Sequence, residues 1–211
     1  MSPFHFDNFA DEAARCHSHV SGHVTIVRPS HELRPDVEAC IGEIYQHAFA
    51  ARCLVFPRRL VALVDRSGHP VCAAGMRTHR EGFFSDVYLD LPIEKILAAL
   101  SGRPVARSEV VEVSTLASRT SDVLPFFIRQ LVLLGRRAGF GWSFFTATKR
   151  LRKLLCQLRI PIVELQAADP ARIADPGRWG SYYAHAPVVC AVNRDWLDNR
   201  AITPEKAAIH A

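Results

Sequence analysis

Residues 110–118, Val-Val-Glu-Val-Ser-Thr-Leu-Ala-Ser, and residues 142–148, Trp-Ser-Phe-Phe-Thr-Ala-Thr, bracket the part of the chain that decides the fold. The first stretch sets Val111, Val113 and Leu116 against Glu112 and Ser114, the mark of a strand. The second is apolar and aromatic throughout and reads as a central strand. Between them a helix is predicted from a cap at Ser121 or Asp122 to Ala138, stopped by Gly139. Two buried strands joined by one helix must run parallel.

Downstream, Thr148 is placed to cap a short helix with Leu151, Leu154, Leu155 and Leu158 in one stripe. Strands at Ile162–Leu165 and Val188–Val192 follow. Upstream, Gly22–Arg28 reads as a strand, and Pro35 opens a helix carrying Val37, Ile41, Ile44, Tyr45, Ala48 and Phe49. Arg59–Asp65 and Val71–Thr78 form a hairpin across Ser67-Gly68-His69-Pro70. Phe83–Leu89 reads as a further short strand, and Pro92 opens a helix to about Leu100, ended by Gly102 and Pro104. Hairpins in the first half and a parallel crossover in the second give a mixed α/β sheet with helices on both faces. Residues 1–22 are polar and histidine-dotted and are expected to be a flexible N-terminal segment. A single domain is expected over 23–195, with a C-terminal tail over 196–211.

At 211 residues, 49% hydrophobic and 22% charged, the chain has an ordinary globular composition and enough length for one well-buried core. The six cysteines form no C-x-x-C pair, no cationic apolar leader opens the chain, and no run of 18 apolar residues occurs. A soluble, cytoplasmic protein with no integral membrane contact is expected. The net charge of +5 favours an acidic partner without choosing between carrier protein, nucleic acid and lipid. No helix-turn-helix carries the basic residues, so no nucleic-acid role is expected. His17, His19 and His23 have a metal-like spacing, but no cysteine or carboxylate set completes a tetrahedral site, and no metal is expected.

Several blocks together are similar to the thermostable hemolysin family. They are Tyr45-Gln-His-Ala-Phe49 with Phe56-Pro57, Tyr88-Leu-Asp-Leu-Pro-Ile-Glu94, Val111-Glu-Val113 with Leu116-Ala117, Gly139-Phe140, Phe145-Thr-Ala-Thr148, Ala168-Asp-Pro170, and Trp179-Gly-Ser-Tyr-Tyr-Ala-His185. The resemblance implies a GNAT-like fold with a mixed, mostly antiparallel sheet, related to acyl-homoserine-lactone synthases and N-acyl amino acid synthases. It also implies an N-acyltransferase that moves a fatty acyl group from a phosphopantetheine thioester to a small amine or amino acid. Glu112-Val-Ser114 matches the synthases' Glu-x-Ser-Arg-Phe without its arginine, and Ser114-Thr115 stands where the hemolysin pattern has Gly-Asn. Residues 118–123, Ser-Arg-Thr-Ser-Asp-Val, lack the glycines of a CoA pyrophosphate loop, and Asp122 would repel a diphosphate. Acyl carrier protein, bearing 4'-phosphopantetheine, is therefore expected as donor ahead of acyl-CoA, with no tightly bound cofactor. The rival reading is a membrane-active hemolysin, or another non-enzymatic protein on the same scaffold.

Transfer from a thioester to an amine requires a base, an oxyanion site and a held nucleophile. Glu112 is the leading base, directly or through water, against the alternatives of a solvent-facing or arginine-paired carboxylate. Backbone amides near Ser114–Ala117 are implied as the oxyanion site, with the Ser114 and Thr115 hydroxyls beside them and Leu116 in the lining. Trp179, Tyr182, Tyr183 and His185 form either a pocket wall or a packed aromatic corner. Tyr183 could protonate the departing thiolate, and His185 is an alternative base. Asp90, near Asp86 and Glu94, is a candidate for holding the amine, although a helix N-terminus also favours acids. Phe145 and Thr146 are further substrate-binding candidates, and Phe126, Phe127, Phe144 and Phe145 could line an acyl slot. Arg119 and Ser121 are the candidate cofactor-binding residues. Arg150, Arg152 and Lys153, with Arg129, Arg136 and Arg137, make either a carrier-docking face or a solvated one.

Overall fold

The computed structural model describes residues 22–52 and 55–198. The N-terminal segment expected over 1–22 falls almost wholly outside the described residues, as does the tail beyond 198. Seven strands form one sheet: β1 (Gly22–Val27), β2 (Arg59–Asp65), β3 (Pro70–Thr78), β4 (Val110–Ser118), β5 (Trp142–Ala147), β6 (Val163–Ala167) and β7 (Val188–Asn193). Their spatial order is β1-β2-β3-β4-β5-β7-β6. All neighbours are antiparallel except β4 and β5, the pair predicted to be parallel. The expected mixed, mostly antiparallel sheet is the one found.

Helices α1 (Arg34–Phe49) and α2 (Ile93–Ser101) cover one face, and α3 (Leu124–Arg137) and α4 (Lys149–Gln157) cover the other; a short α5 (Arg194–Asp198) follows β7. Alternation along β4 shows the division. Val110 packs with Ile93, Leu97, Trp142 and Phe144 beneath α2, whereas Val111 packs with Phe127 and Leu131 of α3. Under α1 the core is Val37, Ile41 and Tyr45 against Leu60, Ala62, Ala73 and Ala117.

Two expected details are corrected. Residues 83–89 are not a strand but a loop with a 3-10 turn at Ser85–Tyr88. Both edges of β4 at this level are taken by β3 and β5, and the Phe84 and Ser85 N–H groups donate to Glu112 instead of to a ladder. Neither Ser121 nor Asp122 caps α3, which begins at Leu124 with Pro125 in its first turn and no side-chain cap. Thr148 does cap α4, its Oγ1 accepting from the Leu151 N–H at 3.4 Å.

The centre of the sheet is not continuous. β4 and β5 pair only through Val110–Trp142, Val111–Ser143 and Glu112–Phe144. Beyond that level β4 stays with β3 as far as Ser118, and β5 stays with β7 as far as Ala147. The departure coincides with a bulge: between the pairs Gly75–Ser114 and Ala73–Ala117, β4 has two residues where β3 has one. Thr115, at φ +48°, takes the left-handed conformation that the extra residue requires. Gly75 allows the close approach here, since a Cβ on it would lie 2.5 Å from Pro57 Cγ and 2.7 Å from Ser114 Oγ.

Candidate active site

A cavity of about 1020 Å³ runs through the gap between β4 and β5. On the α3/α4 side its wall is apolar: Leu116, Leu124, Ile128, Phe145, Leu151, Leu154 and Leu155. On the α1/α2 side it is polar and aromatic, with Arg77, Phe84, Ser85, Tyr88, Ser114, Thr146, Trp179 and Tyr182. Of the four phenylalanines expected in an acyl slot, only Phe145 lines the cavity; Phe127 and Phe144 are fully buried core, and Phe126 packs beneath α3. The inward side of each strand belongs to the core before it belongs to a ligand.

Glu112 is fully buried and does not reach the cavity wall. Its Oε2 accepts from the Phe84 N–H at 2.7 Å, and its Oε1 accepts from the Ser85 N–H at 2.9 Å and the Ser85 hydroxyl at 2.7 Å. Burial pushes the carboxyl above its ordinary pKa, and these three donors hold it back. Ser85 Oγ also lies 2.9 Å from Thr146 Oγ1. A serine hydroxyl has one proton and Ser85 gives it to Glu112, so Thr146 donates in this second bond. Thr146, which lines the cavity, then keeps its lone pairs for a ligand. Glu112 is thus connected to the gap through two hydroxyls. Ser114 and Thr115 line the gap as well, and their hydroxyl oxygens are buried without a partner among the described residues.

The loop that seals Glu112 is itself pinned. Arg107 forms ion pairs with Asp86 and with Glu94, the latter at 2.7 Å, and lies 4.5 Å over the Phe83 ring. The last cluster expected from the sequence assembles around α1. Tyr182 stacks on Tyr45 with centroids 6.5 Å apart and meets Phe49 and Trp179 at 5.2 and 5.4 Å, while Trp179 reaches Phe84 at 5.6 Å. Gly180 makes this contact possible: at φ +53° its Cα lies so near the end of α1 that a Cβ would be 2.0 Å from the Phe49 carbonyl oxygen. Tyr183 is not in the cavity wall, but its hydroxyl is 2.6 Å from that of Tyr88, which is. Burial raises the pKa of Tyr45, Tyr88, Tyr182 and Tyr183, so all four remain phenols at neutral pH.

Other candidates lie elsewhere. His185 is exposed and packs edge-on to Phe49 at 5.2 Å, outside the cavity. Asp90 is also outside it, exposed and ion-paired with Arg172. Arg119 and Ser121 stand on the rim, and Arg119 pairs with Glu43 at 2.9 Å. Arg150 and Lys153 are exposed rim residues. Arg152 is not part of that face: it pairs with Glu164 at 2.8 Å and donates to the Ala147 and Ala186 carbonyls at 2.8 Å each. The residues that sequence reasoning missed are Arg77, Ser85 and Tyr88. Tyr88 stood within a quoted family block, whereas Arg77 and Ser85 carried no signal of their own.

The thermostable hemolysin family model matches residues 27–196. The chain belongs to the thermostable hemolysin family. No curated protein matches it. Among solved structures, this hemolysin-family chain is similar to the AHL synthase LasI at TM-score 0.54 and 8% identity, over 82% of this chain and 91% of that one. It is similar to FeeM, an N-acyl amino acid synthase from uncultured soil microbes, at TM-score 0.51 and 11% identity, over 82% and 92%. A putative N-acetyltransferase from Lactobacillus plantarum gives TM-score 0.53 and 9% identity, over 82% and 98%. At these identities the shared property is the fold. Among the described residues no helix is long and apolar enough to cross a membrane.

Proposed function

We propose that this protein is an N-acyltransferase that moves a fatty acyl group from a phosphopantetheine thioester to a small amine or amino acid. The observation that carries the reading is the gap between β4 and β5, apolar on the α3/α4 side and polar on the α1/α2 side. An acyl chain fits the first side and an amine the second, and they meet beside Ser114, Thr115 and Thr146. Folds of this kind in LasI and FeeM support the reading by analogy.

In the reaction the amine nitrogen bonds to the thioester carbonyl carbon, the C–S bond breaks, and the thiol leaves with a proton. The ammonium must first lose a proton: Thr146 Oγ1 accepts it and passes its own hydroxyl proton to Ser85, which in turn gives its own to Glu112. Glu112 is therefore the base at one remove. The bulge residues Thr115 and Leu116 lie outside regular pairing, so their N–H groups serve the oxyanion, with the Ser114 and Thr115 hydroxyls beside them. Tyr88, hydrogen-bonded to Tyr183, is the phenol in reach of the leaving sulfur. Asp90 and His185 have no part in this scheme, because neither faces the cavity.

Acyl carrier protein is preferred over CoA as donor. Residues 118–122 offer no glycine cradle for a diphosphate, while Arg119 and Ser121 suit a single phosphate and Arg150 and Lys153 an acidic carrier. Such a donor places the reaction in the cytoplasm. Purified protein is to be given medium- or long-chain acyl carrier protein, or the matching acyl-CoA, with a pool of amines and amino acids. The expected result by mass spectrometry is an acyl amide, formed with the larger kcat/KM from the carrier. Absence of amide from both donors refutes the reading. A membrane-active role draws on the exposed apolar surface of Val55 and Phe84, which line the cavity, and of Val87 and Leu91. Dye release from vesicles without any amide formation would favour it.

A further inference from the structure

We infer that the acceptor carries a carboxylate, and that Arg77, with the hydroxyls of Ser114 and Thr115, receives it. This rests on the acyl-transfer reading and names the class of its acceptor as an amino acid rather than a plain amine. Arg77 stands on β3 directly across from Glu112 and lines the cavity on the α1/α2 side. One Nη donates to the Val55 carbonyl at 3.2 Å, while Nε is buried without a partner. Arg77 forms no ion pair among the described residues, and Glu112, the nearest acid in register, has its oxygens engaged by three donors from the 84–85 loop.

A guanidinium N–H that is buried without an acceptor has lost the water it held in the unfolded chain and gained nothing in return. Two further orphaned donors, Ser114 Oγ and Thr115 Oγ1, lie at the bulge of β4, beginning two residues beyond Glu112. Arg77, Ser114 and Thr115 all belong to the wall of one cavity, and a cation with two unpartnered hydroxyls beside it calls for an anion with several lone pairs, of which a carboxylate supplies about four. A plain amine would leave all three unsatisfied and would set its own positive charge against Arg77. In an amino acid the two ends separate: the carboxylate takes Arg77, and the ammonium takes the lone pairs of Thr146, backed by Glu112. Phe84, Tyr88 and Trp179 are then left to face the side chain. The charge of Arg77 acts to lower the pKa of Glu112, so neutralising it with a carboxylate also makes Glu112 the better proton sink.

The test measures binding by calorimetry with no acyl donor present. Glycine, L-leucine and L-phenylalanine are compared with methylamine, isoamylamine and phenethylamine. One or more of the amino acids is expected to bind about 10- to 100-fold more tightly than its amine. Arg77→Met is expected to remove that margin by weakening amino-acid binding, with the amines bound at least as tightly as by wild type once the repelling charge is gone, which shows that the cavity is intact. The inference is overturned if amines bind as well as amino acids, if Arg77→Met keeps the preference, or if no amino acid binds. Failure of this reading and failure of acyl transfer are separable. Amides formed from amines alone would keep the reaction and remove the carboxylate site, whereas amino-acid binding without amide formation would do the reverse.

Discussion

Replacing Gly180 with alanine should uncouple the C-terminal aromatic segment from α1. Gly180 sits at φ +53°, and an added Cβ would meet the Phe49 oxygen at 2.0 Å and the Ala50 carbonyl carbon at 2.9 Å. Both are backbone atoms and cannot turn aside. The segment must therefore retreat, which breaks the Ser181 N–H to Phe49 and the Arg52 N–H to Arg178 hydrogen bonds, each 2.7 Å long. Holding a side-chain-bearing residue in this sparsely populated conformation costs about 1–3 kcal/mol, and two backbone hydrogen bonds contribute about 0.5–1.5 kcal/mol each. The stiffer unfolded chain returns about 0.4–1 kcal/mol. The balance centres near 3 kcal/mol of lost stability, and at about 2–4 °C per kcal/mol the melting temperature falls by roughly 6–12 °C. Thermal unfolding gives the shift, and near-ultraviolet dichroism should weaken as Trp179 and Tyr182 leave their partners. Gly177→Ala is the control, because its Cβ would meet nothing closer than 3.6 Å. A Gly180→Ala melt within about 1 °C of wild type would refute the reasoning.

Gly75→Ala drives a Cβ into the Pro57 ring and Ser114 Oγ, so a net loss of about 1–2 kcal/mol is expected in urea unfolding, together with a lower turnover as Ser114 shifts. The two kinds of α4 cation should separate. Arg152→Met should cost about 2–3 kcal/mol through its ion pair and two carbonyls, while Arg150→Glu with Lys153→Glu should leave the melt unchanged and raise KM for the acyl carrier protein. Glu112 should give stability a pH slope. Its folded pKa is raised, so its contribution is complete below the ordinary value of 4.5 and is lost as pH rises through the folded value. Urea midpoints for Glu112→Gln across the same range should lack that decline, and an equal slope in the variant would exclude Glu112 as its source.

The parallel β4–α3–β5 unit was legible because the pattern on each side was long and consistent. Even the bulge left a trace: the apolar positions Val113 and Leu116 are three apart, where an unbroken strand would place them two or four apart. The 83–89 loop was misread because Phe83, Phe84 and Val87 look like strand residues, and what bends them is a carboxylate 28 positions away. Arg152 looked like a solvated cation because helical periodicity cannot show that Glu164 and two carbonyls lie above it. Arg77 follows Val71, Ala73 and Gly75 on one face of β3 and comes one residue before the strand ends, where an arginine ordinarily reaches water. Only the split in the sheet turns that end into the wall of a chamber.

The bulge at Thr115 and Leu116 resets the alternation of β4, so that Ala117 returns to the α1 face while Leu116 points towards α3. The opening thus depends on the number of residues between Ser114 and Ala117 and not on the chemistry of any one of them. Side-chain replacement there can re-line the passage, widen it or change its polarity. Closing it would take the loss of a single codon, which would restore one-to-one pairing with β3 while Ala117 and Ser118 keep their partners Ala73 and Cys72 and their faces.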